Sequence, residues 1–293
     1  MENLEPTENF AAPLPKENAI LNAAEPTPNN PPWNGWTALG IWVLSIIFIA
    51  LLPELVLIPY LISKNVDFSD RSGLLEFILT DPTAIILRLG SIIPAHLFTL
   101  LIAWLAVTRF GTFSFRQTLG WNLGKFKVWH GLALFVFFYL TALAMLQLFG
   151  DVENEFDRLL KSSRTAVYLV AFFATFTAPL VEEVIYRGLL YSAFQRRFGV
   201  AFAVFLVTVL FTFVHIPQYS NNGVPDYAAV ILLLLLSLTL TLIRVRTNNL
   251  LPCVIFHTIV NGIQSILLII EPYVRQMAEQ SPPPTAFFFD FFK

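Results

Sequence analysis

Residues 227–245 read YAAVILLLLLSLTLTLIRV, and the seventeen positions from Tyr227 to Ile243 carry no charged side chain. At about 1.5 Å per residue such a run nearly crosses the roughly 30 Å hydrocarbon layer of a bilayer. It is continuous and not alternating, which argues against a strand of an outer-membrane barrel. Comparable stretches lie near 37–62, 84–108, 128–149, 166–194, 199–217 and 250–270. The sequence therefore predicts an all-α, polytopic membrane bundle of about seven transmembrane helices. β-Branched and Phe residues do not oppose helix here, because lipid obliges the backbone to satisfy its own hydrogen bonds.

Composition points the same way. Of 293 residues, 56% are hydrophobic and only 13% charged, and the mean hydropathy is +0.67. A soluble globule carries about a quarter of its residues charged. A disordered chain is excluded by the same figures. Net charge is -2, so there is no basic surplus for phosphates and no nucleic-acid partner is expected. The single Cys253 forms no internal bridge.

The first 35 residues differ from the rest. Glu2, Glu5, Glu8, Glu17 and Glu25 stand among Pro and Asn with one cation, Lys16. Residues 1–35 are expected to be a disordered cytosolic tail, without the basic start and apolar core of a cleaved signal peptide. Residues 36–275 then form the membrane domain, and 276–293 a Pro- and Phe-rich tail. Cation placement sets orientation. Arg109, Arg116, Lys125, Lys127, Arg196, Arg197, Arg244 and Arg246 fall in three acid-free connections on one side. The opposite loops carry Lys64, Arg71, Arg158, Lys161 and Arg164 among eight acids. The acid-free side and the N-terminus are expected in the cytosol, the membrane being that of a bacterial cell.

Ionisable groups inside a span are costly, and each is a functional candidate. The fourth span contains Pro179-Leu180-Val181-Glu182-Glu183-Val184-Ile185-Tyr186-Arg187-Gly188. Glu183 and Arg187, four apart, share a helix face and can pair. Glu182 lies about 100° round the helix and faces something else. The fifth span ends Phe211-Thr212-Phe213-Val214-His215, and the seventh holds His257-Thr258-Ile259-Val260-Asn261, with His257 and Asn261 on one face. Counted from a turn near Phe198, Glu182 and His215 lie at equal depth, roughly 25 Å in, whereas His257 lies only about 14 Å past Asn248. The three converge if the Phe198 hairpin protrudes. A Glu183–Arg187 pair can equally be a structural clamp, and Asn261 alone is more often helix–helix glue. His96 and His130 have no acid at helical spacing and read as structural; Cys253 reads as packing.

Glu-Glu-x-x-x-Arg, Phe-x-x-x-His and His-x-x-x-Asn on successive spans, with Arg246-Thr247-Asn248-Asn249-Leu250-Leu251-Pro252 leading into the third, resemble the CAAX-protease and bacteriocin-processing family of intramembrane proteases. The motif core covers about 165–270. The resemblance implies an intramembrane endopeptidase acting on a membrane-associated, prenylated or CAAX-like protein or peptide. In it Glu182 is the general base, His215 helps hold the water, His257 and Asn261 donate to the oxyanion, and Glu183 with Arg187 orients the first motif. No Ser or Cys sits beside a base, so an acyl-enzyme is not expected. No obligatory cofactor is expected. Zinc on Glu182, His215 and His257 is the alternative, disfavoured because no His-Glu-x-x-His pair lies on one helix and Asn261 is a poor zinc ligand. Expected partners are the lipid bilayer and the substrate. The rival class is a non-enzymatic protein of this fold, such as a proton-coupled transporter, immunity factor or scaffold. A transporter of that kind usually shows a paired repeat, absent here.

Overall fold

The structure is a computed structural model describing residues 25–150, 153–221 and 223–280. Among these, all seven expected spans are helices: α1 (Gly35–Ser63), α2 (Pro82–Thr108), α3 (Val128–Phe149), α4 (Arg164–Phe198), α5 (Val200–His215), α6 (Tyr227–Thr247) and α7 (Leu251–Gln280). Six are long and apolar enough to cross a membrane; α5, at 16 residues, is shorter. The outward faces are hydrocarbon, with Leu132, Phe137, Phe205 and Phe213 each more than 60% exposed. Water would penalise that surface and lipid does not, so the chain is an integral multi-pass membrane protein.

Short polar residues start the helices at the loops. Asn34 accepts from the Thr37 N–H at the start of α1, Asp81 from Ala84 at α2, and Asp226 from Ala229 at α6. Each supplies a partner to an otherwise orphaned N–H, worth about 1 kcal/mol. Between α4 and α5 the chain reverses at Gly199, whose φ of +87° suits a residue without a Cβ. A two-residue hairpin, β1 (Ser220–Asn221) against β2 (Val224–Pro225), closes the α5–α6 connection.

Helix α4 is not uniform. It holds two π-helical stretches, Phe173–Thr177 and Val184–Leu190, on either side of the six-residue α-helical turn Ala178–Glu183. Pro179 supplies a cause for the first: lacking an N–H, it leaves a carbonyl of the preceding turn without its helical donor.

Two apolar clusters flank this segment. One joins α1, α2, α4 and α5 through Ala38, Ala103, Val184, Leu190, Val207 and Phe211. The other joins α3, α6 and α7 through Phe138, Leu240, Phe256 and Val260. The polar side chains of α4 lie along the seam between them.

The N-terminal tail up to residue 24 and the Phe287–Phe292 stretch lie outside the described residues. From Glu25 onward the chain packs on the bundle. Trp33 is buried and donates to the Leu189 carbonyl, and Arg196 donates to the carbonyls of Pro31 and Trp33. Arg244, counted among the loop cations, is a correction to that count. It is buried against the Tyr191 ring and donates to Pro28 and Ser192, because α6 turns this side chain inward under the N-terminal segment.

Candidate functional site

At the seam, Arg187 and Glu183 form a wholly buried ion pair at 2.9 Å. The guanidinium also donates to the Ser237 carbonyl and hydroxyl and to the Thr241 hydroxyl, and lies 4.9 Å from the Phe211 ring centroid. α6 thus supplies three acceptors that no motif announces. They engage three of the four N–H groups that the Glu183 bond leaves, without which a buried cation would be prohibitive.

His257 connects this pair to the next carboxylate. Its Nδ1 lies 2.9 Å from Glu183 Oε1, and its Nε2 lies 3.8 Å from Glu182 Oε2. One imidazole therefore spans two consecutive glutamates. Glu183, paired with Arg187, accepts from His257 Nδ1–H, and Nε2 is turned to Glu182. His215 is set the same way. Its Nδ1 lies 2.7 Å from the Phe211 carbonyl, which can only accept, leaving Nε2 free at 3.9 Å from Glu182 Oε1. The Nε2 atoms of two imidazoles thus face the two oxygens of one carboxylate.

These separations exceed a direct hydrogen bond and have the span that a bridging molecule with protons to donate would fill. Access is graded. Glu182 and His215 side chains are 22% and 20% exposed, whereas His257 is 3% and Glu183 and Arg187 are 0%. The cluster is therefore open on its Glu182–His215 side, above the buried Glu183–Arg187 pair. Phe211 is its wall, lying edge-on to Tyr186 with ring centroids 5.0 Å apart. Trp42 of α1 holds the Tyr186 hydroxyl at 3.1 Å.

The depth mismatch seen in the sequence is resolved by the α4–α5 hairpin. His257, nine residues past Asn248, meets Glu183, fifteen before Phe198. The hairpin therefore reaches roughly 9 Å beyond the α6–α7 turn. That turn is held back by the loop before α3: the Leu250 N–H donates to the Gly120 carbonyl, and a Cβ on Gly120 would stand 2.7 Å from Asn249 Oδ1.

Asn261 lies one helical turn from His257 and donates through Nδ2 to the Ala174 carbonyl at 3.0 Å. In the π register the Ala178 N–H bonds the Phe173 carbonyl. The next N–H, which would serve Ala174, belongs to residue 179 and is missing because that residue is proline. Asn261 supplies the donor instead. One further turn on, Ser265 donates to Ala171 and accepts from Thr175. The polar stripe of α7 thus fastens it to the broken part of α4. One N–H of the Asn261 amide remains after the bond to Ala174.

Two neighbours of Glu182 escaped the sequence reading. His96, on α2, is buried, bonds the Thr177 hydroxyl through Nδ1 at 2.9 Å, and stands within electrostatic reach of Glu182. No sequence spacing relates positions 96 and 182; only the packing of α2 on α4 does. Tyr219, beyond the end of α5, also feels Glu182. Burial, and then the negative charges of Glu182, Asp157 and Asp226, push its phenol up to about 12, so it stays a neutral donor at working pH. His130, by contrast, accepts from the Lys127 N–H at the start of α3, a local structural role.

Among the described residues no group of three or more His, Cys, Asp or Glu is arranged to hold a metal ion.

Comparison with known proteins bears on the segment that builds the site. Searches among curated proteins and solved structures return no match. Residues 164–263, about a third of the chain, match the family described as "Type II CAAX prenyl endopeptidase Rce1-like". That stretch runs from the start of α4 into α7 and contains Glu182, Glu183, Arg187, His215, His257 and Asn261. The stretch that builds the site, residues 164–263, is thus similar to the type II CAAX prenyl endopeptidase, Rce1-like, family.

Proposed function

We propose that the protein is an intramembrane endopeptidase hydrolysing a peptide bond of a membrane-associated or CAAX-like protein or peptide with water activated by Glu182. The observation carrying this reading is the opposition of both Glu182 oxygens to the Nε2 atoms of His215 and His257, at 3.9 and 3.8 Å, in a cluster partly exposed at Glu182 and His215. A water placed there donates to the carboxylate and is oriented by the His215 lone pair. Glu182 takes one proton as the water oxygen attacks the carbonyl carbon, and that proton passes to the departing amine nitrogen.

Oxyanion stabilisation follows from the same hydrogen bonds. The His257 Nδ1 proton is committed to Glu183, so Nε2 becomes a donor only when the ring is protonated. In this reading the ring enters the cycle with a proton taken up from bulk water and keeps it throughout, so that Nε2–H donates to the charge developing on the carbonyl oxygen while Nδ1–H stays on Glu183. The free N–H of Asn261 is the second donor. Arg187 holds Glu183 in place and touches no reacting atom. The Lys/Arg distribution supports a site reached from the cytosolic side. No metal is required in this scheme.

Wild-type protein in proteoliposomes is expected to cleave a quenched membrane peptide, and Glu182→Gln to lose at least a hundredfold in turnover. Full activity of Glu182→Gln would overturn the assignment. Proton-driven solute flux without cleavage would favour a carrier instead.

A further inference from the structure

On the face of α5 and α6 away from the Glu182 cluster, the two packed helices form a groove of about 700 Å³. Its walls are Val200, Val204 and Phe205 on one side and Leu234, Leu238 and Leu242 on the other; the Thr208 hydroxyl is its polar group. The groove follows α5 from Val200 to Val209, about 14 Å along the axis. That is close to half of the roughly 30 Å hydrocarbon layer, the depth of one leaflet.

Charge begins where the groove ends. Arg246 stands one turn beyond Leu242 on the same face of α6, and Arg197 lies four residues before Ala201, across the Gly199 reversal. Both are exposed, and neither makes an ion pair among the described residues. Their neighbours are committed elsewhere, Arg196 to Pro31 and Trp33 and Arg244 to Pro28 and Ser192. No Asp or Glu occurs between Val184 and Pro225 or between Tyr227 and Ile270. Along the membrane normal the surface is thus a leaflet-deep hydrocarbon slot followed by two unneutralised guanidinium groups.

We propose that this groove binds one anionic phospholipid from the adjacent leaflet, an acyl chain in the slot and the phosphate between Arg197 and Arg246. Guanidinium suits this role because its planar fork holds phosphate oxygens in pairs. A zwitterionic headgroup brings its own cation against the two arginines, so the site discriminates by headgroup. The proposal is independent of the catalytic reading, since none of the residues involved belongs to the Glu182 cluster.

The test is native mass spectrometry of the full-length protein released from nanodiscs of mixed phosphatidylglycerol and phosphatidylcholine. Wild type is expected to retain one phosphatidylglycerol in preference to phosphatidylcholine. At about fivefold per arginine, the Arg197→Gln/Arg246→Gln double variant is expected to lose roughly 25-fold of that preference. Arg116→Gln, another exposed cation of the same side, is expected to keep it. Leu238→Trp, which fills the slot, is expected to lose the retained lipid of either kind. Preference that survives in the double variant, or that falls equally in Arg116→Gln, overturns the proposal. So does crosslinking of Phe205→Cys to a second copy of the chain or to a substrate peptide, which names a different occupant. The arginine substitutions lie on the surface and decide the matter even if Leu238→Trp does not fold.

Discussion

Arg187→Met should reveal what the buried ion pair contributes and how. The substitution keeps the side chain's length and removes its charge, leaving the Glu183 carboxylate in a fully enclosed site with His257 Nδ1–H as its remaining partner. Stranding a buried charge costs about 3–5 kcal/mol, far more than the loss of ordinary hydrogen bonds. For a chain of this size that corresponds to a fall in Tm of roughly 6–20 °C. The double variant Glu183→Gln/Arg187→Met should recover most of it. The amide carbonyl introduced at position 183 still accepts from His257, and Thr241 keeps its bond to the Ser237 carbonyl. What is lost is the charge pair, whose desolvation roughly cancels its attraction. Thermal unfolding of purified full-length protein in one detergent, followed by tryptophan fluorescence, measures all four corners of the cycle. A double variant no more stable than Arg187→Met alone would refute the stranded-charge argument. So would a single variant that melts within about 2 °C of wild type.

Further expectations concern neighbouring groups. His215→Ala should reduce cleavage at least a hundredfold while leaving the Tm near wild type, and His130→Ala should leave cleavage unchanged; equal loss in both would point to unfolding. Asn261→Ala should lower stability by about 1–3 kcal/mol by orphaning the Ala174 carbonyl. Pro179→Ala in that background should restore part of it by returning an N–H, and a thermal melt showing no rescue would sever the link between Pro179 and Asn261. His96→Ala should lower turnover by less than tenfold, since it adjoins Glu182 through Thr177 without meeting its oxygens; a loss equal to that of Glu182→Gln would give it a direct role in the reaction. Exhaustive chelation should leave cleavage intact, and restoration of a lost activity by stoichiometric zinc would overturn the metal-free scheme.

The positions of the spans, and the polar groups that lie inside them, were readable in the sequence for a single reason. A carboxylate or imidazole embedded in hydrocarbon stands out against its surroundings whatever the rest of the fold does. Helical periodicity then paired Glu183 with Arg187 and put His257 above Asn261, because neighbours four apart meet on any helix. The two groups reported against Glu182 are different. His96 is ordinary for an apolar helix, and Tyr219 sits in a loop; nothing along the chain connects either to position 182. Ser237 and Thr241 likewise look like unremarkable small residues of α6 until the guanidinium of Arg187 is seen bonded to them.

Asn261 shows the division most clearly. Its spacing from His257 is a property of the sequence, but its bond to Ala174 depends on a π turn that Pro179 forces in another helix. The sequence by itself determined that the chain crosses a membrane and which hydrophilic groups it carries inside. Tertiary structure decided which of them meet, which partner each imidazole nitrogen faces, and which stay open to solvent. The physical reason is that polarity and periodicity are local to one helix. The lateral order of helices, and the depth to which each hairpin reaches, are settled only when whole apolar faces pack together.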